Sequence, residues 1–287
     1  MSVDIEELRR WVGHTETRSD VITLAPVAAL SATLDRDDPA PKAGDALPPL
    51  WHWLYFLPMY RRSEIGPDGH PLRGGFLPPV PLPRRMWAGS RLSFARPLRL
   101  GESVTRHSIV SEVNLKQGRS GPLVFVVARH TVSNAQGEAI GEEHDIVYRD
   151  FPPAHPGAGD AAPQPKAAPA DHAWIREIRP DDVLLFRYSA LTFNGHRIHY
   201  DRRYVTEVEG YPGLVVHGPL IATLLMDLLR RSLPTVTVAS FAFRAVQPLF
   251  DLAPFFVCGQ QDGNTVRLWA KDSDGALAMD ATAMLAS

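Results

Sequence analysis

A ten-residue stretch of the chain concentrates side chains that can move protons. Residues 192–201 read TFNGHRIHYD and carry an amide, two imidazoles and a carboxylate, at Asn194, His196, His199 and Asp201. The segment GLVVHGPL follows and places His217 beside Gly218. An imidazole has an ordinary pKa of about 6.5, so it can take a proton from water at neutral pH and return it. This set of side chains predicts acid–base chemistry.

The segment that contains His217 also begins a helical pattern. Apolar residues recur through LIATLLMDLL, and Pro219 suits the first turn of a helix. Because apolar side chains surround nearly the whole helix, we expect it to be buried. Its first turn offers free backbone N–H groups and a positive dipole end, and Gly218 has no side chain to obstruct a ligand. We therefore expect Gly218 and His217 to lie where an oxyanion binds.

Runs typical of antiparallel strands occur in both halves of the chain. In the second half they are SFAFRAVQPLF, APFFVCGQQ, TVRLWAKDSDG and ALAMDATAMLAS, and the first half has GPLVFVVARHTVSN before a hairpin turn. LSFARPL at 92–98 and FAFRAVQPLF at 241–250 form a weak internal echo. A buried helix with about four strands, twice over, predicts an α+β double hot-dog fold, in which two antiparallel sheets each wrap a central helix.

Composition divides the chain into two domains. Residues 151–170, FPPAHPGAGDAAPQPKAAPA, are rich in proline and alanine and have no hydrophobic period, which is typical of an extended linker. We therefore expect an N-terminal hot-dog domain over 1–150 and a C-terminal one over 171–287, which carries the histidine motif. The glycine- and proline-rich stretch at 61–85 is expected to be an irregular loop or lid.

Charge and hydropathy exclude several classes of function. The 287 residues carry a net charge of -2, so no basic field exists to attract nucleic acid or an anionic membrane. No apolar run reaches the roughly 18–20 residues of a membrane span. Cys258 is the single cysteine and lies in the apolar run FFVCG, so we expect a buried thiol. A cytoplasmic protein without nucleic-acid or membrane partners is expected, and a homodimer is one arrangement open to it.

The segment FRYSALTFNGHRIHYDRRYV, with GYPGLVVHGPL after it, resembles the MaoC-like, or type 2, (R)-specific enoyl-thioester hydratases and dehydratases. The resemblance places His199 on the catalytic histidine of that family and Asp201 on its trailing acid. His217 and Gly218 fall on the pair that begins the central helix. Asn194 occupies the position of the family's catalytic aspartate, which is a departure from the common motif.

Nearly the whole chain outside the linker resembles one branch of that family. The branch comprises two-hot-dog hydratases of mesaconyl-C4-CoA, 3-methylfumaryl-CoA or itaconyl-CoA, together with mitochondrial type 2 hydroxyacyl-thioester dehydratases. The segments that carry this resemblance are WHW at 51–53, GSRLSFARPLRLGE at 89–102, GRSGPLVFV at 118–126, EEHDIVYRD at 142–150 and RYSALTFNGHRIHYD at 187–201. In this branch FNxHxIHxD is the usual form of the motif, so Asn194 would be a trait of the branch.

The resemblance implies a hydro-lyase that reversibly hydrates an α,β-unsaturated acyl-CoA, with a C5 dicarboxylic acyl group favoured. A (3R)-hydroxyacyl-thioester dehydratase acting on straight chains is the alternative. No cofactor is implied, since the CoA thioester is the substrate. A thioesterase and a catalytically silent binding module are the other hypotheses, because the hot-dog fold hosts several functions.

The chemistry assigns roles to the motif residues. We expect His199 to act as base and then acid, and Asn194 to position the water, because an amide cannot take its proton. The alternative is that a carboxylate helps, and Asp201, Glu142, Glu143 and Asp145 are candidates. His196 is expected to be structural, and Asp201 to fix the loop or pair with an arginine.

Arginines are the expected partners of the substrate's charges. Arg187 and Arg197 flank the motif and are candidates to neutralise the free carboxylate of a dicarboxylic substrate. Further candidates for phosphate or carboxylate contacts are Arg96, Arg99 and Arg244. A metal site is not expected, since the set His196, His199, Asp201 and His217 matches no short metal motif.

Overall fold

The computed structural model describes residues 3–118, 121–151 and 164–286, and these ranges form five α-helices and ten strands. The helices are α1 (Ile5–Arg9), α2 (Leu24–Thr33), α3 (Asp182–Leu191), α4 (Arg202–Glu207) and α5 (Gly218–Ser232). In the first half the strands are β1 (Thr15–Val21), β2 (Arg84–Phe94), β3 (Ser103–Gly118), β4 (Gly121–Asn134) and β5 (Gly137–Arg149). In the second half they are β6 (Trp174–Ile178), β7 (Val238–Ala245), β8 (Phe255–Asp262), β9 (Thr265–Lys271) and β10 (Leu277–Leu285).

The ten strands form one continuous sheet. Their order is β1-β3-β4-β5-β2-β7-β10-β9-β8-β6, so the five strands of each half stay together and the halves meet at β2 and β7. At this seam Leu92 pairs with Phe241 in antiparallel register. The strands approach so closely that a Cβ on Gly89 would lie 2.5 Å from the carbonyl oxygen of Phe243. The two copies of the sequence echo therefore lie on the two strands that join the halves.

Helix α5 is the central helix of the second half. It packs against β6, β8, β9 and β10, and every residue from 220 to 229 is buried. His217 is its N-cap residue, and Pro219 lies in the first turn, where a missing N–H costs no hydrogen bond. The apolar pattern of the sequence predicts this helix correctly because its side chains pack on nearly all sides.

A buried carboxylate on α5 ties the two halves together. Asp227 is 1% exposed and accepts hydrogen bonds from Arg36 (2.5 Å), Arg176 (2.8 Å) and Arg231 (2.7 Å). Arg36 comes from the first half, directly after α2, whereas Arg176 lies on β6. The charge on Asp227 is thus balanced across the contact between the halves.

The first half differs from the second in what its sheet covers. Helix α2 has ten residues against fifteen in α5, and it packs mainly against α3 and the 3₁₀ turn at Trp51–Leu54. In the second half α5 covers the sheet, whereas in the first half side chains of β1, β3, β4 and β5 line a cavity. The expected central helix of the first half is therefore shorter than its counterpart, and a cavity borders the sheet there.

Some sequence-based boundaries change in the structure. Of the expected linker, residues 152–163 lie outside the described residues, and the carbonyl of Lys166 accepts from Leu277 N–H at 2.7 Å beside the start of β10. The division into two domains stays a prediction.

Cys258 is buried on β8, as expected, and no helix in the described ranges is long and apolar enough to cross a membrane.

Candidate active site

The histidine motif lies on a bent connection between α3 and α4. Asn194 N–H donates to the carbonyl of Ser189 at 2.8 Å, which closes the end of α3, and Phe193 takes a left-handed backbone with φ 49°. The Oδ1 atom of Asn194 accepts from His196 N–H at 3.1 Å. A 3₁₀ turn at Arg197–His199 follows. These local bonds hold the motif side chains in fixed positions without a regular helix or strand.

His199 is held in one tautomer by a backbone carbonyl. Its Nδ1 lies 2.7 Å from the oxygen of Val215, and a carbonyl only accepts, so Nδ1 carries the hydrogen. The lone pair is therefore on Nε2. The side chain is 7% exposed, and burial lowers the pKa of His199 to about 4 despite the opposing effect of the Val215 bond. The ring is consequently neutral at pH 7 and able to accept a proton.

His217 fixes the orientation of His199. The two rings stack with centroids 3.7 Å apart and planes 18° apart. His217 is 1% exposed, and its Nε2 lies 2.8 Å from the hydroxyl of Ser189. Because His217 directly precedes Gly218, this stack places the imidazole of His199 beside the amino end of α5.

One large cavity brings the motif together with the helix end. Its volume is about 1490 Å³, and residues of both halves line it. Asn194, His199 and Gly218 all face it. Gly218 is the first residue of α5, so its N–H has no carbonyl partner within the helix. A base, an amide and a free N–H at a positive helix end thus share one wall.

The first half contributes a histidine, His70, to the same wall, and Asp68 lies behind it. His70 Nδ1 lies 3.0 Å from Asp68 Oδ2, and the ring of His70 contacts that of His196, with centroids 3.9 Å apart and planes tilted by 39°. The ring of His196 lies perpendicular to that of His199 at 5.3 Å. Sequence patterns did not indicate this association, since 126 residues separate His70 from His196.

The chain is similar in sequence to known dehydratases and hydratases of acyl thioesters. The family model "Hydroxyacyl-thioester dehydratase type 2" matches residues 50–251. The mesaconyl-C(4)-CoA hydratase of Chloroflexus aurantiacus is 50% identical over 276 residues, which cover 96% of each chain.

The chain belongs to the hydroxyacyl-thioester dehydratase type 2 family. The mitochondrial enzyme of that name from Schizosaccharomyces pombe is 30% identical over 280 residues, covering 87% of this chain and 90% of the yeast one. The expectation of a hydro-lyase is thereby confirmed. A double hot-dog protein of Mycobacterium tuberculosis has a similar structure, with a TM-score of 0.59 at 14% identity and 96% of each chain covered. That similarity confirms the double hot-dog fold.

Within this type 2 dehydratase fold, the sequence-predicted residues separate into those near the cavity and those away from it. His217 is buried and does not line the cavity, so it supports His199 where we expected a substrate contact. Arg187 is exposed and borders a smaller depression elsewhere with Ala32 and Leu224, so the structure does not bring it to the motif. Arg96, Arg99 and Arg244 also lie off the cavity wall.

Arg197 lines the cavity but is already committed to other groups. Its Nε and a terminal nitrogen donate to Asp201 Oδ2 at 3.0 and 2.7 Å, and another nitrogen donates to the carbonyl of Pro67 at 3.0 Å. The guanidinium also lies over the ring of Tyr204. Asp201 in turn caps α4 through Tyr204 N–H at 3.0 Å. The pair fixes the loop, which is the role expected for Asp201.

A second polar cluster faces the cavity from the first-half sheet. Buried Glu142 accepts from His52 Nε2 (2.9 Å), His144 Nε2 (2.6 Å) and Trp53 Nε1 (3.0 Å). Burial opposes ionisation, but these histidines hold the pKa of Glu142 well below its usual value. Glu143 and Asp145 instead pair with the half-exposed Arg91. Of the acids weighed in EEHDIVYRD, Glu142 alone faces the cavity.

Within the described ranges, one group of side chains has its donor atoms close enough together to hold a metal ion. Donor atoms of Asp68, His70 and His196 lie within 4.8 Å of one another, and a hydrogen bond already joins the first two. The four residues considered from the sequence, His196, His199, Asp201 and His217, do not form a metal site, because the carboxylate of Asp201 binds Arg197. The hydrogen-bonded pair of Asp68 and His70, with the ring of His196 beside it, is sufficient to account for this geometry.

Proposed function

We propose that this protein reversibly adds water to the α,β double bond of an acyl-CoA thioester, with a C5 dicarboxylic acyl group such as that of mesaconyl-C4-CoA. The observation that carries the proposal is the tautomer of His199, whose Nδ1–H is consumed by Val215 and whose Nε2 is left as a base at the cavity wall. The name of the Chloroflexus relative supports the choice of acyl group. The reaction as proposed uses no cofactor.

The thioester carbonyl binds at the amino end of α5 in this scheme. As water attacks the β-carbon, negative charge develops on the carbonyl oxygen, and preorganised N–H donors stabilise it. Gly218 N–H and the helix dipole supply that stabilisation. The nearest atom to a Cβ at position 218 would be the carbonyl oxygen of Trp87 at 3.8 Å, an ordinary van der Waals distance, so the space beside this N–H is open.

His199 carries the proton through the reaction. Its Nε2 takes a proton from the attacking water, and the resulting imidazolium returns a proton to the α-carbon of the enolate. Asn194 cannot take part in proton transfer. Its Oδ1 accepts from His196 N–H, so its NH₂ group is left to donate a hydrogen bond to an oxygen atom of water or substrate. Asn194 therefore positions water or substrate in this scheme.

A dicarboxylic substrate requires a cation for its free carboxylate. Arg187 and Arg197 do not meet this requirement, for the reasons given above. Arg106 on β3 lines the cavity, and its buried Nε has no hydrogen-bond partner within the described residues. Its nearest acid is Glu16 at 3.8 Å. We assign Arg106 to the substrate carboxylate, which would give its guanidinium a closer acceptor than Glu16.

A substrate panel tests the function. Purified protein is incubated with mesaconyl-C4-CoA and with crotonyl-CoA while enoyl absorbance and free thiol are both followed. Loss of absorbance without thiol release is expected, and it should be faster with the dicarboxylic substrate. Thiol release in step with the loss of thioester would identify a thioesterase instead. A cytoplasmic location and a homodimer stay predictions.

A further inference from the structure

The proposed reaction leaves one position at the reacting water unfilled. In the common form of the motif a carboxylate stands where this chain has Asn194, and a carboxylate can hold a water proton that an amide cannot remove. A water attacking the β-carbon has two O–H groups to be oriented. His199 Nε2 accounts for one of them.

Residues 64–72, the docking loop, contact the histidine motif directly. The loop is closed by an Ile65–Pro71 bridge and by Gly66 N–H donating to the carbonyl of His70 at 2.7 Å. Arg197 N–H donates to the carbonyl of Asp68 at 2.9 Å, so a backbone hydrogen bond joins the loop to the 3₁₀ turn that carries His199.

Two glycines allow this contact. Gly69 has φ +88°, and a Cβ there would lie 1.8 Å from the carbonyl oxygen of Gly195. In the opposite direction, a Cβ on Gly195 would lie 2.9 Å from the carbonyl oxygen of Gly69. The two backbones therefore touch at positions where neither tolerates a side chain. This close approach brings the ring of His70 against that of His196.

Asp68 sets the tautomer of His70. Its Oδ1 accepts from His70 N–H and its Oδ2 from His70 Nδ1, both at 3.0 Å. Burial raises the cost of charging Asp68, yet the bonds from His70 hold the pKa of Asp68 below its usual value, so it accepts as a carboxylate. Nδ1 of His70 must then carry the hydrogen, and Nε2 has the lone pair. The arrangement is that of an Asp–His pair in which the acid orients a base.

His70 is close to the reacting centre. It lines the same cavity as His199, and repulsion from His70 in its protonated form is one of the influences, after burial, that lower the pKa of His199. Burial and the nearby Arg85 lower the pKa of His70 itself to about 4, so its ring is neutral at pH 7. Two neutral imidazoles, one from each half, thus line the cavity, and each has its lone pair on Nε2.

We infer that His70, oriented by Asp68, is a second catalytic residue that holds the attacking water together with His199, a role that rests on the proposed hydration reaction. The water oxygen bonds to the β-carbon, and one O–H bond breaks as its proton passes to His199. The π electrons move toward the α-carbon and the thioester oxygen, and the α-carbon then takes the proton from His199. The other O–H, held by His70, stays intact and becomes the product hydroxyl.

Asp68→Asn is the sharpest test because it keeps the shape of the loop. The amide oxygen of the variant can still accept from His70 N–H, and its NH₂ donates to Nδ1, which moves the ring hydrogen to Nε2. The acceptor for water is lost while the loop bonds remain. His70→Phe is the second variant, since a phenyl ring can keep the contact with His196 but offers no hydrogen-bond acceptor. Asp37→Asn, at an exposed position, is the matched control.

The measurements separate chemistry from binding and folding. We expect kcat for mesaconyl-C4-CoA hydration to fall about 100-fold in Asp68→Asn and His70→Phe. KM, the Kd of a saturated acyl-CoA and the melting temperature should stay close to those of the wild type and of Asp37→Asn. A structural role alone would move the melting temperature or Kd together with kcat.

The outcomes distinguish this inference from the proposed function. If the wild type hydrates mesaconyl-C4-CoA and both variants retain its kcat, the role of His70 is wrong and the proposed function stands. A fall in kcat explained by lost binding or lost folded protein also overturns the role of His70. A wild type that removes no enoyl absorbance overturns both.

Discussion

The imidazole of His199 lies flat against that of His217, with ring centroids 3.7 Å apart. His217 is anchored to the Ser189 hydroxyl at 2.8 Å, so the stack fixes one face of the base. Removing the ring in His217→Ala should lower kcat about 10- to 100-fold, because a displacement of about 1 Å at a catalytic group can have that effect. His217→Phe keeps a flat ring and should retain most of the activity. Steady-state kinetics of both variants make the comparison. Equal loss in both would mean that the imidazole of His217 itself takes part in the chemistry.

Buried neutral histidines should make the protein sensitive to acid. Burial lowers the pKa of His70 and of His199 to about 4, and it holds the pKa of His130 and of His217 well below 6.5. Between about pH 6.5 and pH 4 the unfolded chain therefore binds more protons than the folded one, and the free energy of unfolding falls as pH falls. His199 alone should remove about 2 kcal/mol at pH 5 relative to pH 7.5.

Urea unfolding at pH 7.5 and pH 5 measures this effect. The wild type should lose stability on acidification, and His199→Gln, which has no titrating ring at 199, should lose about 2 kcal/mol less. The same shift predicts that kcat/KM stays high below pH 6.5, for as long as the protein remains folded. An acidic limb with a midpoint at 6.5 would show that the base titrates as an exposed histidine.

Arg106 should discriminate dicarboxylic from monocarboxylic substrates. Arg106 lines the cavity that contains His199, and its buried Nε has no hydrogen-bond partner within the described residues. Arg106→Gln should raise KM for mesaconyl-C4-CoA about 10- to 100-fold, the size expected for a lost charge-assisted hydrogen bond. KM for crotonyl-CoA should change little. Arg187→Gln is the matched control because Arg187 lies outside the cavity. Equal effects on both substrates would assign Arg106 to the CoA part or to the fold.

The Asp227 network should be a main source of stability between the halves. Asp227→Ala leaves three arginines without their shared acceptor, and breaking a buried ion pair in this way costs about 3–5 kcal/mol. Asp182→Asn removes an exposed pair with Arg202 and should cost less than about 1 kcal/mol. Chemical denaturation of both variants compares them. Similar losses would mean that the network contributes no more than a surface pair.

The sequence predicts best where local periodicity reports burial. Helix α5 and strands β7 to β10 follow the apolar patterns closely, because each is stabilised by the face that its pattern describes. Strand β6 and helix α3 escaped prediction. They lie next to the linker and the histidine motif, and α3 presents Val183 and Phe186 to solvent, so no clean apolar stripe marks it.

The candidate site could be predicted only in part for a related reason. His199, Asn194 and Gly218 lie in two short segments whose spacing is itself informative, and all three reach the cavity. The Asp68–His70 pair meets the motif through the contact of Gly69 with Gly195, which depends on the path of the chain between them. Arg187 shows the converse, since proximity in sequence to the motif did not bring it to the cavity.

Chemical rescue of position 199 tests the central claim most directly. His199→Gly removes the base and leaves a space where added imidazole can bind. We expect the variant to lose at least about 100-fold in kcat for mesaconyl-C4-CoA hydration, and added imidazole to restore part of it in proportion to the neutral form present. His107→Gly, at an exposed position on β3, serves as the control. Unchanged turnover in His199→Gly without imidazole would contradict the account.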